Sequence, residues 1–205
     1  MKASLWQPGE RVRQRANITA FMDRVNHTHR TGLRSYPDLW AWSVAHLPEF
    51  WAAVWEFAGI DASHPYTAVV DDLAHFPGAA WFPGARLNFA RHLLRHDDAR
   101  PALIFRGEEG RREALSHAEL RGEVSRVAAG LRELGVRPGD RVAAYMPNLI
   151  ETAVAMLAAT SLGAVWASCA TDIGAAAALD RLGQVEPAVL FTVDGYLYKG
   201  RRFDT

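Results

Sequence analysis

The sequence predicts an α/β protein in which a helical, aromatic-rich N-terminal region, residues 1–100, precedes an incomplete, mainly parallel sheet with flanking helices, residues 101–205. Three observations carry this. Six of the seven tryptophans and most of the histidines fall before about Arg100. From Pro101 onward the composition shifts to Ala, Val, Leu and Gly. In that second half strand-like and helix-like hydrophobic periods alternate, as they do in sheets built from right-handed crossovers. At 205 residues there is enough chain for a core, since a domain of roughly 150 residues already buries about 68–70% of its unfolded surface.

The charge balance narrows the partners. The 23 basic and 23 acidic residues cancel, so the sequence carries no electrostatic footprint for nucleic acid or for an anionic membrane. No apolar run approaches the ~20 residues of a membrane helix. The start, Met1-Lys-Ala-Ser-Leu-Trp6, has a charge but no apolar segment of signal-peptide length, and the expected address is the cytosol. Cys169 is the single cysteine; it cannot form an internal bridge, and its apolar surroundings mark it as a small buried hydrophobe.

In the first half, Asn17 is placed to cap a helix holding Phe21, Met22 and Val25, ended by the polar run His27-Thr-His-Arg-Thr-Gly32. Pro37 and Pro48 suit the first turns of two short helices, where a missing amide proton costs nothing. One holds Leu39, Trp40 and Val44; the other holds Phe50, Trp51, Val54, Trp55 and Phe57 and closes at Gly59. Such aromatic density reads as packing within the region, with a ligand cage or interaction surface as the alternative.

In the second half, Ala102–Phe105 reads as a strand that turns at Glu108–Arg111 and returns through Leu115. Ser116-His-Ala-Glu119 has the capping-box pattern, followed by Leu120, Val124, Val127, Leu131 and Leu134 at helical spacing and a stop at Gly135. Arg137-Pro-Gly-Asp140 turns into the strand Arg141–Tyr145. Asn148 with Glu151 is expected to cap a helix to about Leu162, and the next strand is Ala164–Ser168. Thr171 or Asp172 is expected to cap a third helix over Ile173–Leu182, before the strand Ala188–Val193. Near-continuous apolar strands imply helices on both faces. Ligands of open parallel sheets gather beyond the carboxyl ends of the strands. Met146–Asn148, Ser168–Asp172 and Asp194–Arg201 are therefore expected along one edge.

Self-contained chemistries are missing. The sequence has no Gly-x-x-x-x-Gly-Lys-Ser/Thr loop, no Gly-x-Gly-x-x-Gly after a strand and no Gly-x-Ser-x-Gly elbow. His27 and His29 lack partners at metal-ligand spacing and read as surface residues. Ser116 beside His117 is accounted for by the cap, since neighbours in sequence do not face each other on a helix. The Tyr145-Met-Pro-Asn148 corner reads as a strand end and helix start, with an anion at the helix amides as the other reading. The segment Gly195-Tyr-Leu-Tyr-Lys-Gly-Arg-Arg-Phe203 combines glycines, tyrosines and bases at the ligand edge. It reads either as a solvated basic turn or as a contact for the phosphates of an anionic cofactor, where arginine offers bidentate geometry.

Trp81-Phe-Pro-Gly-Ala-Arg-Leu-Asn-Phe-Ala90 and Gly139-Asp-Arg-Val-Ala-Ala-Tyr-Met-Pro-Asn148, taken with Asn17-Ile-Thr, Trp40-x-Trp-Ser43, Leu162-Gly-Ala-Val-Trp166, Ser168-Cys169, Leu179-Asp-Arg181 and Gly183-Gln-Val-Glu-Pro187, carry a resemblance. Through them the chain resembles the first third of the acetoacetyl-CoA synthetase family of acyl-adenylate-forming ligases, and its second half resembles the start of the large domain of such a ligase. The resemblance implies activation of a carboxylate with ATP and Mg²⁺ to an acyl-adenylate, then transfer of the acyl group to coenzyme A. It also implies an acetoacetate substrate and the remainder of the ligase chain as partner.

The Ser/Thr/Gly-rich phosphate loop, the aromatic-Gly-x-Thr-Glu segment, the ribose-binding Asp and the catalytic Lys segment of such enzymes do not occur in residues 1–205. No catalytic residue and no metal ligand is carried over. Related acetyl-CoA synthetases use an Arg-Gly-Gly-Arg type of sequence near the phosphates of coenzyme A, which maps Gly200 and Arg201 here. Tyr198 stands where those relatives have arginine, and Lys199 where the acetoacetyl-CoA synthetase family usually has glycine. Cys169-Ala-Thr-Asp-Ile-Gly174 replaces an expected Cys-Ser-Pro-Asp-Phe-Gly, as loss of a working site would allow.

The expected function is thus the N-terminal segment of an ATP-dependent acetoacetate:CoA ligase, truncated and inactive alone. The alternative is a noncatalytic binding module that keeps the ligase N-terminal fold. A small independent nucleotide-binding enzyme would need a phosphate cradle, for which only the last segment is eligible.

Overall fold

The computed structural model describes residues 5–205; the Met1–Ser4 part of the opening stretch lies outside the described residues. The chain forms two compact units, Met1–Arg86 and Leu87–Thr205.

The first unit is built from helices α1 (Glu10–Gln14), α2 (Asn17–His29), α3 (Tyr36–Ala45) and α4 (Leu47–Ala58). Pro37 and Pro48 sit in the first turns of α3 and α4, Ser35 caps α3 by accepting from the Asp38 amide, and Gly59 ends α4 in the left-handed conformation. Asn17 does not cap α2: Ala16 holds that position without a side-chain bond, and Asn17 is the first helical residue. The entry is anchored instead by the Thr19 hydroxyl, which donates to the Arg13 carbonyl at 2.7 Å. His29 ends α2 against the Trp42 ring, while His27 is exposed, and among the described residues no group of His, Cys, Asp and Glu is set to hold a metal.

Phe21, Val25, Leu39, Trp42 and Ala53 form the buried cluster. Rings extend it edge to face from Phe21 to Phe50 and from Phe50 to Trp51, geometries favoured by the ring quadrupole. Trp55 packs on Phe82 with centroids 4.6 Å apart and on Tyr66 at 5.2 Å. Those contacts hold Phe82 at φ 49, a conformation costly for a bulky residue. The aromatic pattern is mostly packing, but Trp40 remains 58% exposed.

β1 (Ala62–His64), β2 (Arg86–Leu87) and α5 (Phe89–Leu93) follow. The second unit then runs through β3 (Pro101–Arg106), β4 (Arg112–Ser116), α6 (His117–Glu133), β5 (Arg141–Tyr145), α7 (Ile150–Ser161), β6 (Val165–Cys169), the 3₁₀ turn Thr171–Ile173, α8 (Ala175–Gly183), β7 (Val189–Thr192), β8 (Gly195–Tyr198) and β9 (Arg201–Asp204). β3 and β4 are the expected antiparallel hairpin. β6, β5 and β7 form a parallel sheet in that order, with Val142 opposite Trp166 on one side and Val189 on the other. The capping box at Ser116 is complete.

Three details differ from the sequence reading. Asn148 and Glu151 make no cap: α7 starts one residue later, behind Leu149, and the Thr152 hydroxyl donates to the Pro147 carbonyl at 2.8 Å. Thr171 and Asp172 sit in the 3₁₀ turn, and α8 begins only after Gly174, whose φ of 77 reverses the chain. Only β5 is buried through its middle; β6 and β7 are edge strands, with Val165 and Leu190 about half exposed at 52% and 51%. Cys169, at the end of an edge strand, is half-buried.

The core of this unit lies between α6, α7 and β5, where Leu120, Val124, Leu131, Val142, Val154, Leu157 and Ala158 pack together. Ala143 and Ala144 are fully buried; their small side chains let the helices approach β5 closely.

Candidate functional site

Parallel register sets the site. Tyr145 pairs with Cys169 and with Thr192, so the segments that follow β5, β6 and β7 leave the sheet at the same edge. Thr171 marks it; it is the only buried polar residue among the described residues. Its carbonyl accepts hydrogen bonds from the Tyr145 hydroxyl at 3.0 Å and the Tyr196 hydroxyl at 3.3 Å. The bridge ties β5, the segment after β6 and the strand β8 at one point. It uses a backbone oxygen, which explains how Ala170–Gly174 keeps its place with side chains unlike those expected from the resemblance.

Gly195–Phe203 is not a loop but a hairpin. Tyr198 pairs with Arg201 and Leu197 with Arg202, leaving Lys199 and Gly200 as a two-residue turn at φ 51 and φ 70. Both central residues of such a turn need positive φ. Asn, Asp or Gly usually occupies the first and Gly the second; here Lys199 takes the left-handed conformation at the first, its ammonium 5.1 Å from the Tyr198 ring centroid. Tyr196 and Phe203 stack at 5.5 Å. Gly195 is sterically required, since a Cβ there would lie 2.6 Å from the Phe203 carbonyl oxygen.

A cleft of about 480 Å³ opens beside this hairpin, floored by Pro147, Asn148 and Val193 and walled by Phe105–Glu109, Arg111, Leu197 and Arg202. Strand parity puts Arg202 and Arg201 on opposite faces of the ribbon. Arg202 lines the cleft; Arg201 and Gly200 are exposed at its tip. Arg111 is held by Glu113 at 2.7 Å, which raises its pKa, and Arg202 lies 3.9 Å from Asp194. Across the opening the Gly200 amide donates to Glu108 Oε2 at 3.1 Å. The three arginines Arg106, Arg111 and Arg202 are thus offset by Glu108, Glu109 and Asp194 in the same wall. The edge joins the segments expected there, whereas the cleft, the tyrosine bridge and the role of Glu108 were not read from the sequence. The signal available was the alternation of Tyr196 and Tyr198 around a Lys-Gly turn, which marks a hairpin once the run is not taken for a loop.

Asn88, from the Arg-Leu-Asn motif, also has a defined task. Its Oδ1 accepts from the Arg91 amide at 2.9 Å and caps α5, while its Nδ2 donates to the Thr160 and Ser161 carbonyls at 3.0 and 3.2 Å. These carbonyls end α7.

Comparison with known proteins bears on this arrangement. Residues 89–204 match the model of the AMP-binding enzyme family, and residues 36–93 match that of the acetyl-coenzyme A synthetase N-terminus. An acetoacetyl-CoA synthetase of Xenopus tropicalis is 39% identical over 202 residues, covering 96% of this chain and 30% of that protein. A malonamoyl-CoA synthetase of Penicillium aethiopicum is 43% identical over 189 residues, covering 89% of this chain and 26% of that protein. The solved acetoacetyl-CoA synthetase from Streptomyces lividans is 46% identical with a TM-score of 0.91, covering 99% of this chain and 32% of that one. The chain spans about 30% of the length of the Xenopus relative. With both halves matched in register, the chain belongs to the AMP-binding enzyme family and is homologous over nearly its whole length to acetoacetyl-CoA synthetases.

Proposed function

We propose that this chain is the N-terminal segment of an ATP-dependent acetoacetate:CoA ligase, which converts acetoacetate, ATP and coenzyme A to acetoacetyl-CoA, AMP and pyrophosphate. Residues 1–100 form its acetyl-CoA-synthetase-like helical region and residues 101–205 the first part of its AMP-binding domain. The observation that carries this reading is the 46% identity and matching fold over 99% of the chain.

Coenzyme A supplies the thiol that takes the acyl group. The donors at the hairpin tip suit its phosphates: Gly200 offers an amide, Arg201 an exposed guanidinium, and Lys199 a cation next to Tyr198, where relatives carry arginine. These groups orient the cofactor and take no part in bond making. ATP and Mg²⁺ fall to the rest of the ligase, because residues 1–205 contain neither the phosphate loop nor the catalytic lysine segment. The chain alone is therefore inactive and binds coenzyme A weakly.

The test is ligation of acetoacetate measured on the isolated chain and on the longer protein that contains it. The isolated chain forms no acetoacetyl-CoA. In the longer protein Arg201→Ala raises KM for coenzyme A about tenfold with kcat little changed, as loss of one charged hydrogen bond made equally before and during reaction predicts. Turnover by the isolated chain overturns the reading, and an unchanged KM removes the assignment of Arg201. A noncatalytic module is favoured by one observation, an apolar groove of about 380 Å³ in the first unit between Ile18, Tyr36, Trp40 and Phe57.

A further inference from the structure

We propose that Glu108 is an internal anion that occupies the phosphate-binding amide of the hairpin tip and sets how tightly a phosphate-bearing ligand binds there. The inference rests on the reading of Gly200 and Arg201 as contacts for coenzyme A phosphate. It adds to that reading a residue distant in sequence, on a different hairpin, with the same sign of charge as the ligand the site is built for.

The geometry is specific. The turn between β3 and β4 is closed by its own backbone, Gly107 N to Arg111 O at 2.8 Å and Gly110 N to Gly107 O at 3.2 Å. It carries two adjacent acids that behave differently. Glu109 folds back over its own turn, its carboxylate 3.0 Å from where a Cβ on Gly107 would stand. Glu108 crosses the mouth of the cleft and accepts from the Gly200 amide, 92 residues away. A carboxylate on a backbone amide is the bond that a ligand phosphate oxygen would make there. The amide has one proton, so the two anions exclude each other. A phosphate arriving at Arg201 meets the Glu108 charge before it meets the amide, and binding requires the turn to release.

Glu108→Gln separates charge from contact, because the amide oxygen still reaches the Gly200 proton while the repulsion is gone. Coenzyme A is titrated into the full 205-residue chain, following the Gly200 amide by NMR, for the unaltered protein, Glu108→Gln and Arg201→Ala. The expected result is saturable movement of the Gly200 signal at about five- to tenfold lower coenzyme A in Glu108→Gln. That gain shrinks as salt is raised, because the repulsion removed is between exposed charges. In Arg201→Ala the movement requires about tenfold higher coenzyme A, the loss expected of one charged hydrogen bond. Thermal unfolding of Glu108→Gln at the temperature of the unaltered chain excludes a folding defect. Equal affinity of the unaltered chain and Glu108→Gln, with weaker binding in Arg201→Ala, overturns the role of Glu108 and leaves the phosphate reading standing. Absence of movement in every variant overturns both.

Discussion

Asn88 shows how much a single side chain settles in this unit. Its carboxamide has one acceptor and two donor protons, and the structure uses both sides, capping α5 through Oδ1 and closing α7 through Nδ2. Asp at this position keeps the cap but turns an anion toward two carbonyl oxygens; Ala loses both functions. Loss of a cap alone costs about 1 kcal/mol, and leaving half-buried carbonyls without a donor costs about 1–3 kcal/mol. Asn88→Asp is therefore expected to destabilise the chain by about 2 kcal/mol although it is the better capping residue of the two variants, read from urea unfolding. Stability equal to the unaltered protein would mean the α7 carbonyls do not need Asn88. Nothing near Asn88 in the sequence announces this task, because its partners lie 72 and 73 residues on. Glu108 and Gly200 are separated in the same way. Ser116, by contrast, was legible because its partner is Glu119, one turn away.

At the scale of elements the same distinction decides what could be read. Strand and helix order, the β3–β4 hairpin and the parallel sheet follow from hydrophobic period, which is a property of consecutive residues. The caps expected at Asn17, Asn148 and Thr171 failed because a helix start depends on how the preceding chain arrives, which at α8 is set by the positive φ of Gly174. The start of α6 is the best-defined boundary. Beyond the capping box, the His117 and Ala118 amides donate to the Arg100 and Asp98 carbonyls at 3.0 and 3.1 Å. Asp98 is held by its side-chain hydrogen bonds to Arg100, which lower its pKa from 3.8 to about 2. Glu119 is lowered below 4.5 by the Ser116 amide and hydroxyl. Both carboxylates bind protons less readily folded than unfolded, so their stabilisation is complete above the unfolded values; that of Asp98 is lost as pH falls from 3.8 toward 2, and that of Glu119 is lost at a pH below 4.5. Arg100→Ala should return the Asp98 titration, followed by carboxyl NMR, toward 3.8 and flatten the acid limb of stability. A midpoint that stays near 2 in Arg100→Ala would refute that cause.

For the whole molecule the open question is what the sheet does at its flanks. β5 is covered on both sides by β6 and β7, but each of those strands has one edge without a strand partner among the described residues. Val165 and Leu190 on those edges are half exposed. A strand edge presents a row of unpaired amides and carbonyls that another chain can pair with, and side chains that bury fully in a wider sheet add apolar surface to it. The polar devices that usually blunt such edges are absent here: β6 is Val-Trp-Ala-Ser-Cys and β7 is Val-Leu-Phe-Thr, with no charge and no proline in either strand. With zero formal net charge, no long-range repulsion keeps two copies apart. The chain by itself is therefore expected to self-associate, with a weight-average mass by sedimentation that rises with concentration above 22.7 kDa. Val165→Lys and Leu190→Lys together should return it toward the monomer, since edge charges oppose strand pairing. If the unaltered chain instead sediments as a monomer at all concentrations and melts in one cooperative transition, its edges are closed without a partner. The segment then stands alone as a folded module, and its apolar groove, not its sheet edge, becomes the surface to probe for function.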